Sequence, residues 1–437
     1  MHEFDSDGAG TLASPAAPLF PAAGREPGAP SRRHPGLGRT LAICTASQML
    51  ATASVLSLAG IAPLVASSLS IEPSWIGYQV SLIYFAGIFA SAVAGSLVKR
   101  WGAARLNAVA LVCAGGGMAG LASGLLWLML ASSLLLGIGY AFNNPCSSHM
   151  LNRVTPARLR NAIFSVKQAG VPAGGMLAAV SLPHLASALG WQGAVLAGAL
   201  PSLALALLFF VLREWWDDDR KPATAVDLKT VWRGQSIVWR HRGLVVLSLL
   251  GLFYSAIQLC VSAFVVTMLV EELGWTPVSA AGMAAAVQLC GAGGRILWGI
   301  VADLLDAGFL VLSFLGAATA SCCVALALGP SMPVGAEIAF LCVTGLCSVG
   351  WNGVMLAETA RLSPSSAAGG SGTLTGDVLV YTFAGVVLGP STFALVYSWL
   401  GSYVHAFALL GIPALLGTGL AGWAHRHRHG LVQAQRE

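Results

Sequence analysis

The sequence predicts an all-α integral membrane protein of twelve transmembrane helices, arranged as two pseudo-symmetric bundles of six. Three observations carry this. Only 9% of the 437 residues are charged, against 56% hydrophobic and a mean hydropathy of +0.76. The charges that remain are spaced so that the runs between them have the length of one or two membrane spans. The two halves also repeat. An average soluble domain is about 25% charged, and a chain this poor in charge could not cover a water-facing surface. A soluble enzyme, a nucleic-acid binder and a secreted disulfide scaffold are thereby excluded.

A helical span needs roughly 20 apolar residues. Residues 40–71 and 73–98 hold one span each. Residues 106–152 are free of charge and hold two, with a turn near Gly124, and 161–212 hold two more with one internal charge, Lys167. A polar insert, 213–242, follows. Residues 243–270, 273–302, 307–336 and 338–357 hold one span each, and 378–425 hold two, broken near Gly401. A β-barrel does not fit, because these runs are uniformly apolar rather than alternating. The domain reading is an N-terminal tail (1–38), a first bundle (39–212), a linker (213–242), a second bundle (243–425) and a C-terminal tail (426–437).

With the N-terminus in the cytoplasm, every Lys and Arg except the in-span pair Lys167 and Arg295 falls in a cytoplasmic segment, while Glu72, Glu271 and Glu272 fall outside. This obeys the positive-inside rule. It places both termini in the cytoplasm and the chain in the inner (cytoplasmic) cell membrane. The tail 1–38, rich in Pro, Gly and Ala without an apolar core, reads as disordered rather than as a signal peptide. All nine cysteines lie in predicted spans with no C-x-x-C pair, so neither disulfides nor a metal site is expected. The His425–His429 run reads as a basic membrane flank.

The repeat is visible in three places. Residues 137–156 and 345–364 align without a gap at an offset of 208, bringing together Asn144 with Asn352, Arg153 with Arg361 and Pro156 with Pro364. Gly95–Lys99 meets Gly299–Asp303 at an offset of 204, and Leu189-Gly190 meets Leu400-Gly401 at 211. A duplicated six-span unit implies a pseudo-two-fold axis along the membrane normal, a solute site in the seam, and alternating exposure by rocking of the halves.

Over residues 40–425 the chain resembles the major facilitator superfamily of secondary transporters. The most specific segment is Gly95-Ser-Leu-Val-Lys99-Arg100-Trp-Gly102-Ala-Ala-Arg105, similar to that family's loop between spans 2 and 3. Gly95, Gly102 and Arg105 match as gating residues. The family's Asp is replaced by Lys99, whereas the second copy, from Gly299, keeps Asp303. The resemblance implies that position 99 faces the start of span 11. A cation is disfavoured by about 0.3–1 kcal/mol at a helix N-terminus, so Asp377, in the first turns of span 11, is expected either to latch Lys99 or merely to favour its own helix start while Lys99 snorkels to lipid. Glu358, beside Arg361 at the inner end of span 10, is expected as a further gate pair.

Charges within spans cost roughly 2.5–3.5 kcal/mol on insertion scales and need a reason. Lys167 lies seven residues past Arg160, and Arg295 eight residues before Asp303. Both are therefore about 10–12 Å into the membrane. In the resembled family spans 5 and 8 face one another, so the two cations can clamp an anion, Arg295 bidentately. Gly294-Arg295…Asp303 is also similar to span 8 of the monocarboxylate and oxalate/formate branch; the competing reading makes Arg295 an inner gate. Gln48, Asn144, Gln168 and Asn352 are the amides expected at the solute, although in-span amides also join helices. Tyr84, Tyr140 and Trp351 are expected to pack.

The function expected is secondary transport of a small organic solute, an organic anion, by proton symport or anion exchange. The alternative is an exporter of neutral or amphiphilic compounds in the same superfamily. No G-x-x-x-x-G-K-[ST] loop is present, so ATP hydrolysis is not expected, and no catalytic constellation, cofactor, metal or nucleic-acid partner is implied. The expected partners are the solute, a coupled proton or counter-anion, and the bilayer around a monomer.

Overall fold

The computed structural model describes residues 35–71, 74–224, 226, 228–327, 332–363 and 370–433. The expected tail lies, up to residue 34, outside the described residues. The first bundle comprises α1 (Leu37–Val55) and α2 (Ala62–Leu69) as span 1, α3 (Ser74–Trp101) as span 2, α4 (Ala103–Leu121) as span 3 and α5 (Leu126–Val154) as span 4. Span 5 is α6 (Arg160–Gln168) with the first part of α7 (Gly170–Val211), and span 6 is the remainder of α7. The linker contains α8 (Leu228–Arg240). The second bundle comprises α9 (Arg242–Glu271), α10 (Pro277–Leu304) and α11 (Gly308–Leu326) as spans 7 to 9. Then come α12 (Val334–Ser348) with α13 (Trp351–Arg361) as span 10, α14 (Gly370–Leu400) as span 11, and α15 (Tyr403–Leu409) with α16 (Gly411–Arg426) as span 12. A short α17 (Arg428–Gln433) follows.

Among the described residues, ten helical segments are long and apolar enough to cross a membrane. Two features bring these to twelve crossings. One segment runs 55 residues, from Ala157 to Val211. At 1.5 Å per residue that is about 80 Å, far more than a hydrocarbon core of about 30 Å. It turns back at Gly190, whose φ of 71° and ψ of 166° are not helical. Span 1 is missed because a 3-10 turn (Ala59–Ile61) divides it and because α1 is rich in Ser and Thr. Those side chains are buried inside the bundle, among them Thr40, Ser47, Gln48 and Thr52, so the polarity points inward rather than to lipid. Lipid-facing positions carry Phe85, Phe89, Leu200, Leu207 and Phe210, all exposed. All nine cysteines are free thiols.

The repeat is present in the backbone. Six of the seven left-handed residues among the described ones form equivalent pairs: Ser70 (φ 54°) with Gly274 (70°), Gly102 (99°) with Asp306 (46°), and Gly190 (71°) with Gly401 (64°), the seventh being Gly124 (70°). These are the turns that close one span and open the next. The sequence offsets of 204 and 211 thus reproduce turn chemistry, for which Gly is the residue of least strain.

Hydrogen bonds sort the loops onto two faces. On one, Asp217 of the linker meets the start of α4, Asp303 the start of α6, and Arg361 meets Asp306. On the other, Trp191 Nε1 donates to Ser68 Oγ (2.9 Å), Trp275 Nε1 donates to Glu337 (2.9 Å), and Glu272 receives Ser402 Oγ and the Val404 amide. Even-numbered crossings therefore end together on what is here called the linker face. The bundles meet mainly toward that face. α6 packs on α10 and α13, and α3 on α14. Three glycines allow the approach: a Cβ at Gly299 or Gly353 would overlap Ser165, and one at Gly376 would press on the Ser91 carbonyl at 2.6 Å.

Candidate functional site

The break between α6 and α7 sets the chemistry of the seam. It leaves Lys167 and Gln168 in the last turn of α6, both buried, at 1% exposure each. Lys167 Nζ donates to three amide oxygens: Gln48 Oε1 (2.8 Å), Gln168 Oε1 (3.2 Å) and Asn144 Oδ1. Arg295, 2% exposed, reaches across from α10 and donates from Nη1 to the Gln168 carbonyl at 2.9 Å, while its Nε has no partner. The Gln168 amide donates to Asn352 Oδ1 of α13. The six residues expected at the solute thus form one connected cluster, with Gln168 as its node: its side chain binds Lys167 and Asn352, and its backbone binds Arg295. The repeat-related Asn144 and Asn352 touch adjacent residues of span 5.

The cluster holds two cations and no ion pair. No carboxylate lies within salt-bridge distance of Lys167 or Arg295 among the described residues. Their charges are solvated by amide dipoles alone, an incomplete substitute for a counter-ion. Beside them stand three aromatic rings. Tyr84 and Tyr140 make an edge contact at 5.7 Å, and Phe383 of the other bundle lies 6.1 and 5.9 Å from them. Both tyrosines are within electrostatic reach of Arg295. Expected to pack, they do so, and across the seam; the sign of that place was their position on spans 2 and 4, with Asn144 one turn beyond Tyr140. Trp351 does pack, 1% exposed against Tyr254, with its Nε1 on Gln258. Asn143 turns the other way, to Ser47 and Asn107, and joins helices within the first bundle.

The linker face carries the residues expected as gates. Asp303 accepts the backbone amides of Asn161 (3.0 Å) and Ala162 (2.7 Å) and the Asn161 side chain (2.8 Å). A carboxylate of one bundle thus caps a helix start of the other, where the dipole favours negative charge. Gly299, one turn earlier on α10, lets Ser165 approach. Gly95 lies where α14 crosses α3. Glu358 is buried beside Arg361 (3.6 Å), which also meets Asp306 (3.3 Å).

Of the two arrangements left open for Lys99 and Asp377, the latch is not made among the described residues of this structure. Asp377 Oδ1 receives Gln235 of α8 at 3.3 Å and its Oδ2 has no partner, while the Lys99 carbonyl receives the Lys221 amide at 2.7 Å. The insert supplies a helix that occupies the space in front of Asp377, a role the sequence reading did not give it. Unforeseen also was the run Asp217-Asp218-Asp219. Asp217 accepts the amides of Ala104 (2.8 Å) and Arg105 (3.1 Å) and lies 3.8 Å from the Arg105 guanidinium. Gly102 is required there, because its φ is +99° and a Cβ would strike Asp217. Asp218 binds Arg153 at 2.7 Å and Asp219 binds His149 at 2.8 Å. Burial pushes the Asp217 carboxyl up to about 6, against the pull of the two amides and Arg105. Burial also acts upward on Asp219, but the His149 hydrogen bond and the charges of His149 and Arg153 hold it below the ordinary range.

Two helical bundles repeating one plan, with a polar, cationic cluster in the seam and ion-paired helix ends at one face, are the architecture of a membrane transporter. Residues 41–381 match the family model described as Major Facilitator Superfamily. The chain belongs to that family, whose members are transporters and not enzymes. It is 25% identical over 366 residues to the 3-(3-hydroxy-phenyl)propionate transporter of Escherichia coli K12, covering 81% of this chain and 86% of that one. Its fold is shared by the E. coli fucose:proton symporter FucP (TM-score 0.69, 15% identity, 89% of this chain and 99% of that one). It is shared equally by the human organic anion transporter TETRAN (TM-score 0.70, 15% identity, 89% and 100%).

Replacing Asp303 by Ala removes three charge-assisted bonds, each worth about 1.5–3 kcal/mol when made well. Spin labels at positions 158 and 305 should then show a longer and broader distance distribution than in the parent. Asp303→Asn, which keeps one acceptor, should lie between. The Asp217 carboxyl prefers its proton in the folded state, so its contribution is whole below the ordinary value of 3.8 and is lost as pH rises to about 6. The melting temperature of the parent should therefore fall relative to Asp217→Asn between about pH 4 and pH 6 and level off above.

Proposed function

We propose that the protein carries an organic carboxylate of the arylalkanoate type across the membrane through the seam. The observation that carries this reading is the pair Lys167 and Arg295: two buried cations, one from each bundle, meeting on Gln168 without a counter-charge. A bound carboxylate supplies that charge. Arg295 has a free Nε for a bidentate contact, and Lys167 can exchange an amide oxygen for a carboxylate oxygen. The rings of Tyr84, Tyr140 and Phe383 offer the face and edge contacts an aryl group prefers. The arylpropionate named for the E. coli relative supports the same class.

Transport follows from what holds the seam shut. Arg295 to the Gln168 carbonyl and Gln168 to Asn352 are bonds between bundles. An anion that draws Arg295 and Lys167 toward itself withdraws these bonds and lowers the barrier to opening the linker face. Carriage of a monocarboxylate with one proton, or exchange for a second anion, both keep the charge balanced; a pH gradient distinguishes them. We place the linker face in the cytoplasm of an inner-membrane monomer, on the strength of the Lys and Arg distribution.

The test is uptake of labelled 3-phenylpropionate into proteoliposomes, with and without an inward proton gradient, beside the neutral 3-phenylpropionamide. The acid should be taken up and the amide not. Lys167→Gln and Arg295→Gln should each lower uptake at least about tenfold, the loss of one charge-assisted contact. Equal uptake of the amide, with both variants active, would point to the neutral-solute exporter instead.

A further inference from the structure

A cavity of about 750 Å³ lies away from the seam, on the linker face, where the end of α8, the start of α9 and the end of α16 converge. Arg240, His241, Arg242 and Arg426 line it, beside Ile237 and Trp423. No Asp or Glu is among its lining residues. None of the three arginines is in a salt bridge among the described residues. Both ring nitrogens of His241 are buried without a partner. Three guanidinium groups share one basin with no counter-charge, and planar N–H forks of this kind bind phosphate oxygens in pairs.

The position identifies the source of the phosphate. Arg242 opens span 7 and Arg426 closes span 12, so the basin sits at headgroup depth. Ile237 and Leu431 give it an apolar wall on which the glycerol and first methylenes of a lipid can lie, beside Trp423, on which the lining residue His427 stacks at 4.8 Å. The linker helix has the character of an interfacial helix. Trp232 (74% exposed) is an outward-facing indole, and Trp239, seven residues on and on the same side, keeps 58% of its surface open while its Nε1 donates to the Tyr381 hydroxyl of α14 at 2.7 Å. Lys229, Arg233 and Arg240 lie along the same helix. The side turned away from Trp232 docks on the protein, through Gly234 against the Asp377 carboxylate and the buried Val238, with Gln235 bonding Asp377 from the flank. Exposed indoles together with cations are what membrane–water interfaces select, and basic pockets between spans bind anionic headgroups.

We propose that this basin binds the phosphate headgroup of an anionic phospholipid, which ties the linker helix to the ends of spans 7 and 12. The site is independent of the solute in the seam. The test uses the full-length protein in a neutral sugar detergent, with phosphatidylglycerol, phosphatidylcholine or inorganic phosphate added at matched phosphate concentration. Phosphatidylglycerol should raise the melting temperature by about 3 °C and appear as a bound adduct in native mass spectra; the other two should do neither. In Arg240→Gln/Arg242→Gln/Arg426→Gln that shift and adduct should be lost with the lipid-free melting temperature unchanged. If the triple variant does not fold, Arg426→Gln alone should reduce adduct occupancy. An equal shift from inorganic phosphate or phosphatidylcholine, or an undiminished adduct in the variants, would overturn the proposal.

Discussion

Everything in the seam depends on two cations held in a low-dielectric interior by amide oxygens. A buried charge without a partner is expensive, and a lone ammonium or guanidinium tends to be neutralised, paired or hydrated. Here the chain spends its polar side chains on the problem. Gln48, Asn144 and Gln168 surround Lys167, and the Gln168 carbonyl receives Arg295. The arrangement places the two charges at one depth, one from each bundle, and leaves the guanidinium Nε unsatisfied. A site built this way is short of negative charge, and the deficit is what an anion would fill.

The same bonds that solvate the cations also close the seam. Gln168 belongs to the first bundle, while Arg295 and Asn352 belong to the second, so the polar cluster is a clasp between the bundles as well as the site proposed for the solute. Below it, the Asp303 cap on α6 and the glycine contacts around Ser165 extend the closure to the linker face. Each of these is a small, local interaction at a helix end or a helix crossing. The linker is more than a tether in this scheme: Asp217 holds the start of α4, Asp218 and Asp219 hold Arg153 and His149, and α8 covers Asp377.

The spans, and the gathering of six in-span polar residues at one place, were legible in the sequence, because each rests on a rule that acts along the chain. Charge spacing gives spans, the positive-inside bias gives their parity, and an in-span cation has few permitted surroundings. Gly190 and Gly401 marked turns through the repeat and do so in the backbone. What was hidden required knowing which face of a helix meets which neighbour. Asn143 and Asn144 are adjacent and chemically identical, yet one serves the bundle interior and the other the seam. Asp377 and Lys99 could be matched by charge alone, but the linker helix stands at Asp377. Nothing in a polar insert of this composition announces that its acidic run will cap span 3.

The most direct measurement is equilibrium binding of a carboxylate and its uncharged isostere to the detergent-purified protein. Titration calorimetry with 3-phenylpropionate should show saturable binding that Lys167→Met abolishes, while 3-phenylpropionamide gives no heat above dilution. If the amide binds as well as the acid, or the acid binds Lys167→Met undiminished, the uncompensated cations are not what recognises the solute and the account of the seam is wrong.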